Sequence, residues 1–104
     1  MINTYAKLHQ TVSSAIETYL KENEEKTINF EIADNGACSM LYPENGNKFT
    51  FMLAKFSEEF KVGFAFFEAG EKQPDWLDDV FNTEFNEAFV INLINEHLLV
   101  IEVD

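Results

Sequence analysis

The side chains of this sequence with the clearest potential for chemistry are the carboxylates of its last third. Residues 68–104 contain ten acidic side chains and one cation, Lys72, and so hold nine of the twelve net negative charges of the 104-residue chain. The acids are Glu68, Glu71, Asp75, Asp78, Asp79, Glu84, Glu87, Glu96, Glu102 and Asp104. Clustered charge of one sign destabilises a compact chain somewhat, but it creates a field that attracts a basic partner. Solubility requires charge without clustering, so the segregation favours electrostatic recognition.

The other reactive side chains form no catalytic or metal-binding pattern. His9 falls on the apolar stripe of a predicted helix, and His97 follows another helix, where a histidine can interact with the helix dipole. Cys38 alternates with Met40 on a predicted strand and is expected to be a small, buried hydrophobic residue. The acids lack the alternating spacing and the glycine of a calcium loop. We therefore expect neither metal nor cofactor. A small enzyme is a third hypothesis, which would need a pocket uniting His9, His97 or the carboxylates.

Composition limits the class of protein and the class of partner. The hydrophobic fraction is 46% and phenylalanine occurs eleven times, which predicts a folded chain rather than a disordered one. All seven cations are lysines, and an acidic chain without arginine is poorly suited to binding nucleic acid or an anionic membrane. A single cysteine excludes an internal disulfide, and the N-terminal residues lack the layout of a signal peptide. We expect one α+β domain, residues 1–104, in the cytoplasm.

Hydrophobic periodicity predicts an N-terminal helix followed by an antiparallel sheet. Apolar residues recur at helical spacing over residues 3–22. The period then changes to two, and four strands are predicted, joined by short polar turns of which two contain Asn-Gly. The inward residues are Ile28, Phe30 and Ile32, then Cys38, Met40 and Tyr42, then Phe49, Phe51 and Leu53, and finally Phe60, Val62, Phe64 and Phe66. Four strands connected in this way form a meander with one buried face.

The opposite face of that sheet is less polar than a solvent-facing side usually is. It presents Leu41, Met52, Ala54, Phe56, Ala65 and Phe67. Because large exposed apolar patches are uncommon in monomers, we expect the chain's own C-terminal helices to cover this face. Cover by another protein is the alternative.

Two acidic helices and a final strand are predicted to follow the sheet. Pro74 is suited to a first helical position. The helix would carry Trp76, Leu77, Val80 and Phe81 on its apolar side and Asp75, Asp78 and Asp79 on the other. A break near Asn82 lets Thr83 cap a third helix over residues 84–95. Residues 98–103 are predicted to form a short strand, and a hairpin that pairs residues 89–94 with 98–103 is the rival.

The overall profile, small and acidic with a helix–sheet–helix order, is similar to that of several bacterial and phage proteins. These are immunity proteins that neutralise nuclease toxins, phage-type inhibitors that mimic DNA, and type III secretion chaperones. Together with the clustered charge, the similarity implies a non-enzymatic inhibitor, immunity protein or antitoxin that occludes a basic, nucleic-acid-handling protein. The residues predicted to bind this partner are Glu71, Asp75, Trp76, Asp78, Asp79, Glu84 and Glu87. Trp76 is included as an aromatic anchor, although a core tryptophan is its other interpretation.

The alternative function is a secretion-type chaperone that binds an extended effector segment on the apolar sheet face. It predicts grooves around Leu41, Met52, Phe56 and Phe67, and it predicts a dimer. The sequence leaves the choice between monomer and dimer open.

Overall fold

Residues 2–100 are described by a computed structural model, in which one helix precedes a sheet and another follows it. The elements are α1 (Tyr5–Glu22), β1 (Asn29–Ile32), β2 (Cys38–Leu41), β3 (Lys48–Phe56), β4 (Glu59–Phe67), β5 (Trp76–Phe81) and α2 (Glu87–Leu93), which continues into a π-helical turn, Ile94–Leu98. Within this range the strands form one five-stranded sheet in the order β1-β2-β3-β4-β5, and every pair is antiparallel. The predicted α+β class, the N-terminal helix and the first four strands are confirmed.

The core lies between one face of the sheet, called here the inner face, and the two helices. Helix α1 begins after Thr4, whose Oγ1 accepts a hydrogen bond from the Lys7 N–H at 3.2 Å. Its apolar stripe of Leu8, Val12, Ala15 and Ile16 is buried, as are most of the predicted inward strand residues, although Ile32 is 54% exposed. The α2 region covers the same face, because Phe85 packs against Phe51 and Phe89 packs against Phe64.

The segment from Trp76 to Phe81 is strand β5, and the predicted helix there is wrong. It pairs with β4 in a register that joins Phe66 to Trp76 and Val62 to Val80. Trp76 and Val80 are four residues apart, a spacing that places two side chains on one side of either a helix or a strand. The segment forms a strand rather than a helix because it can pair with the open edge of β4. Its aromatic and β-branched residues also suit a strand.

The C-terminal region also differs from its prediction, because up to residue 100 one helix follows the sheet where two were expected. Asn86, rather than Thr83, caps α2, since its Oδ1 accepts a hydrogen bond from the Phe89 N–H at 2.9 Å. Residues 89–94 are helical, so the rival hairpin is wrong. Of the predicted final strand, Leu98 ends the π-helical turn and residues 99–100 are not in a strand, while residues 101–103 lie outside the described range.

The other face of the sheet, called here the outer face, is left uncovered by the residues that the structure describes. Met52 is 48% exposed, Phe56 57%, Leu77 71% and Phe81 44%. The expectation of internal cover is therefore wrong for the described part of the chain. Residues 76–81, which were expected to provide the cover, extend the sheet instead, and α2 packs on the inner face.

Candidate functional site

The carboxylates predicted to bind a partner lie along β5 and the segments that flank it. β5 is an edge strand, because among residues 2–100 it pairs with β4 alone. We call the set formed by Glu71, Asp75, Asp78, Asp79, Glu84 and Glu87 the acidic edge, and every member is exposed. Asp79 lies opposite Gly63 on the outer face, and Asp78 lies opposite Phe64 on the inner face. Asp78 and Asp79 thus lie on opposite faces of the edge strand, Asp75 directly precedes it, Glu71 and Glu84 lie in the flanking loops, and Glu87 begins α2. The acids therefore do not share one side of a helix.

Few of these carboxylates are held by internal partners. Within residues 2–100 one salt bridge forms, between Lys61 Nζ and Asp79 Oδ1 at 3.3 Å. Glu87 Oε1 accepts a hydrogen bond from the Thr18 hydroxyl at 3.3 Å, and Asp78 Oδ1 accepts one from the Asp79 N–H at 2.8 Å. Most of the negative charge therefore faces solvent, where it is available to attract cations.

Trp76 stands at the start of the acidic edge, with its indole on the inner face. The ring is half-buried and stacks on Phe66 with centroids 5.7 Å apart. It also contacts Phe49, Phe64 and His97 edge-on, at 5.7, 5.9 and 5.1 Å. These contacts fix the indole in the core, so both sequence interpretations of Trp76 describe part of its position: it packs inward and still exposes a surface.

The exposed side of Trp76 forms one wall of a cleft of about 550 Å³. The cleft lies between the β2–β3 turn, the β4–β5 loop and the π-helical turn. Its lining combines aromatic rings, amides and carboxylates: Glu44, Asn45, Asn47, Phe66, Glu68, Ala69, Asp75, Trp76, Glu96, His97 and Val100. A lysine or arginine side chain suits such a lining, because carboxylates pair with its charge and an aromatic face attracts it further.

Three turns hold the cleft walls together. Asn45 Nδ2 donates a hydrogen bond to the Leu98 carbonyl at 2.8 Å, which ties the β2–β3 turn to the π-helical turn. Gly46 has a φ of +79°, and a Cβ placed there would lie 2.7 Å from the Cβ of Ala69 in the β4–β5 loop. Only glycine permits both this backbone conformation and this close approach. The carboxylate of Glu44 accepts a hydrogen bond from the Tyr42 hydroxyl, which holds it at the rim.

Sequence reasoning missed most of this cleft. Glu44 and Asn45 were assigned only to a turn over residues 43–46, and Asn47 was assigned no role. Glu96 was counted only as one of the ten C-terminal acids, and His97 was placed just after a helix. No local spacing signals their association, because the three segments that meet are far apart in the chain.

The remaining reactive side chains have structural surroundings. His9 Nε2 lies 2.6 Å from the Gly36 carbonyl, and its ring packs near Tyr5 and Phe30. Cys38 is buried, and burial raises the pKa of its thiol to about 12. In the part of the chain that the structure describes, no three His, Cys, Asp or Glu side chains are placed to share a metal ion.

Comparison with protein-family models, with curated proteins and with solved structures finds no match to this chain. Neither helix within residues 2–100 has the combined length and apolarity needed to cross a lipid bilayer. The residues themselves therefore carry the functional argument.

Proposed function

We propose that this chain is a non-enzymatic acidic binding protein, an inhibitor or immunity protein that occludes a basic, nucleic-acid-handling protein in the cytoplasm. One observation carries the proposal: the acidic edge is exposed along β5 and in the segments before and after it, with a single salt bridge among the described residues. In this function the carboxylates stand in for the phosphates of a nucleic acid.

Binding would proceed in two stages. The field of the carboxylates first steers the basic partner to β5, an effect that raises association rates by about 10–10³-fold and weakens with salt. A lysine or arginine of the partner then enters the cleft beside Asp75 and Trp76. Its cation–π contact with the indole would contribute about 0.5–1 kcal/mol if the site stays hydrated, and more once water is excluded.

The test compares two triple variants that change the net charge equally. Asp75→Asn, Asp78→Asn and Asp79→Asn neutralise the acidic edge, while Glu17→Gln, Glu22→Gln and Glu24→Gln neutralise exposed acids on and just after α1. Each protein is immobilised, exposed to a lysate of the source cells at low salt, and eluted with rising salt. We expect wild type and the α1 variant to retain a basic protein that the edge variant releases at much lower salt. Stopped-flow mixing with the retained protein should show slower association for the edge variant.

Two results would count against this function. If both triple variants lose retention equally, the charge acts without a defined site. If the edge variant retains the basic protein at the same salt as wild type, the acidic edge is not the interface.

A second function, the secretion-type chaperone, is favoured by the uncovered outer face. An extended apolar segment of an effector would lie across Met52, Phe56 and Leu77, all of which are about half exposed or more. This function requires the outer face to be accessible in the isolated protein. Because a chaperone of this type is also expected to be a dimer, the two are distinguished by whether the dimer buries the outer face, which the variants described below test.

A further inference from the structure

The outer face has a notch at its centre. Gly63 of β4 lies between Met52 of β3 and Asp79 of β5, and Ala65 lies between Thr50 and Leu77. A Cβ added at Gly63 would meet only the Met52 carbonyl oxygen, at 4.0 Å, and Gly63 does not have the positive φ that would require glycine. Glycine weakens a strand interior, and it often marks a place where another backbone approaches closely.

The charge of the outer face differs sharply from that of the whole molecule. By strand register it carries Lys48 and Lys61 against Glu31, Glu59 and Asp79, a net charge near −1 on a chain of −12. Both lysines lie over phenylalanine rings of this face: Lys48 Nζ is 4.8 Å from the Phe67 centroid and Lys61 Nζ is 4.7 Å from that of Phe81. Among the residues of the strands, Asp79 is the one member of the acidic edge on this face, and Lys61 pairs with it, so two copies can approach here with little net repulsion.

We propose that a second copy of this chain covers the outer face, so that the protein is a homodimer with its two sheets packed face to face. Sheets stacked in this way lie about 10 Å apart, and in a two-fold interface the same surface meets itself. The notch at Gly63 receives a large apolar side chain of the other copy, and the lysines of one face meet the acids of the other. The two other occupants fit this face less well. A basic partner is attracted to the acidic edge instead, and an extended apolar peptide has no charged side chains to pair with the lysines and acids of the face.

The test is the mass of the purified protein in solution, measured by sedimentation over low to high micromolar concentrations. We expect twice the chain mass for wild type. Leu77→Glu should give a monomer, whereas Ile32→Glu, which places the same charge at an exposed position of β1 on the other side of the sheet, should remain a dimer. Circular dichroism is the control that checks whether each variant is folded.

Gly63→Val provides a second variant with opposite effects on folding and on association. Valine suits a strand, and its Cβ would meet only the Met52 carbonyl oxygen, at 4.0 Å, so the folded chain should unfold at the same temperature or higher. The filled notch should raise the dissociation constant of the dimer at least about tenfold. A role for Gly63 in the fold alone would leave dimerisation unchanged.

Three outcomes would overturn this inference. One is a wild type of single-chain mass at every concentration; another is a dimer that neither Leu77→Glu nor Gly63→Val weakens. The third is a monomer that binds an apolar peptide on this face, which would assign the face to a chaperone client. Because the proposed contact is mainly apolar, the dimer should depend on salt much less than partner binding at the acidic edge does. Asp79 belongs to both surfaces, so Gly63→Val, which changes no charge, tests the dimer alone, and Asp75→Asn with Asp78→Asn, which leaves Asp79 in place, tests partner binding alone.

Discussion

Cys38 lies on the inner face of β2 with 1% of its surface exposed. Burial disfavours the charged thiolate and raises the pKa of the thiol from its ordinary 9.0 to about 12. Because the thiolate is the reactive form of cysteine, the folded chain should react slowly with thiol reagents. The unfolded chain should react at the rate of a free cysteine.

The same shift makes the free energy of unfolding depend on pH. The unfolded chain loses the Cys38 proton near pH 9, whereas the folded chain keeps it until about pH 12. This contribution to stability is therefore complete below pH 9 and is lost progressively as pH rises toward 12. Urea unfolding of wild type and Cys38→Ala at pH 8 and 10 measures it. The wild type should lose more stability than the variant over this interval, and equal losses would contradict the argument.

At the scale of elements, the start of α2 offers a direct comparison of two capping residues. Asn86→Ala removes the side chain that accepts the Phe89 N–H and should lower the free energy of unfolding by about 1 kcal/mol. Thr83→Ala changes an exposed residue before the helix and should lower it by no more than a few tenths of that amount. Urea unfolding followed by the fluorescence of Trp76, the single tryptophan, measures both. A larger loss for Thr83→Ala would place the helix start where the sequence alone predicted it.

The elements differ in how far their local sequence alone determines their secondary structure. α1 and the first four strands can be predicted from hydrophobic periodicity, because the apolar residues of each fit either the helical period or the strand period but not both. Over Trp76–Phe81 the apolar spacing satisfies both periods, and Asp78 interrupts the alternation on the inner face. Charge is also local, so the acids of the edge were identifiable in sequence. The cleft was not, because it depends on three distant turns meeting around Trp76.

The whole molecule carries a net charge of −12, and residues 2–100 form one salt bridge. Repulsion among carboxylates should therefore outweigh attraction, and added salt should stabilise the fold by screening it. We expect the melting temperature, followed by circular dichroism, to rise by several degrees between low salt and about 0.5 M NaCl. The Asp75, Asp78, Asp79 to Asn variant should show a smaller rise. A melting temperature that falls with salt would mean that ion pairs dominate.

The packing of the first helix beside the last one has a consequence for how the chain is made. The buried Asn82 side chain donates to the Ile2 carbonyl at 2.9 Å, and Thr18 of α1 bonds Glu87 of α2. During translation α1 and the strands can assemble first, but the part of the inner face that Phe85 and Phe89 cover stays exposed until residues 85–98 leave the ribosome. A nascent chain stalled before that point should bind chaperones that recognise exposed apolar surface. A nascent chain stalled after residues 85–98 have emerged should not bind these chaperones.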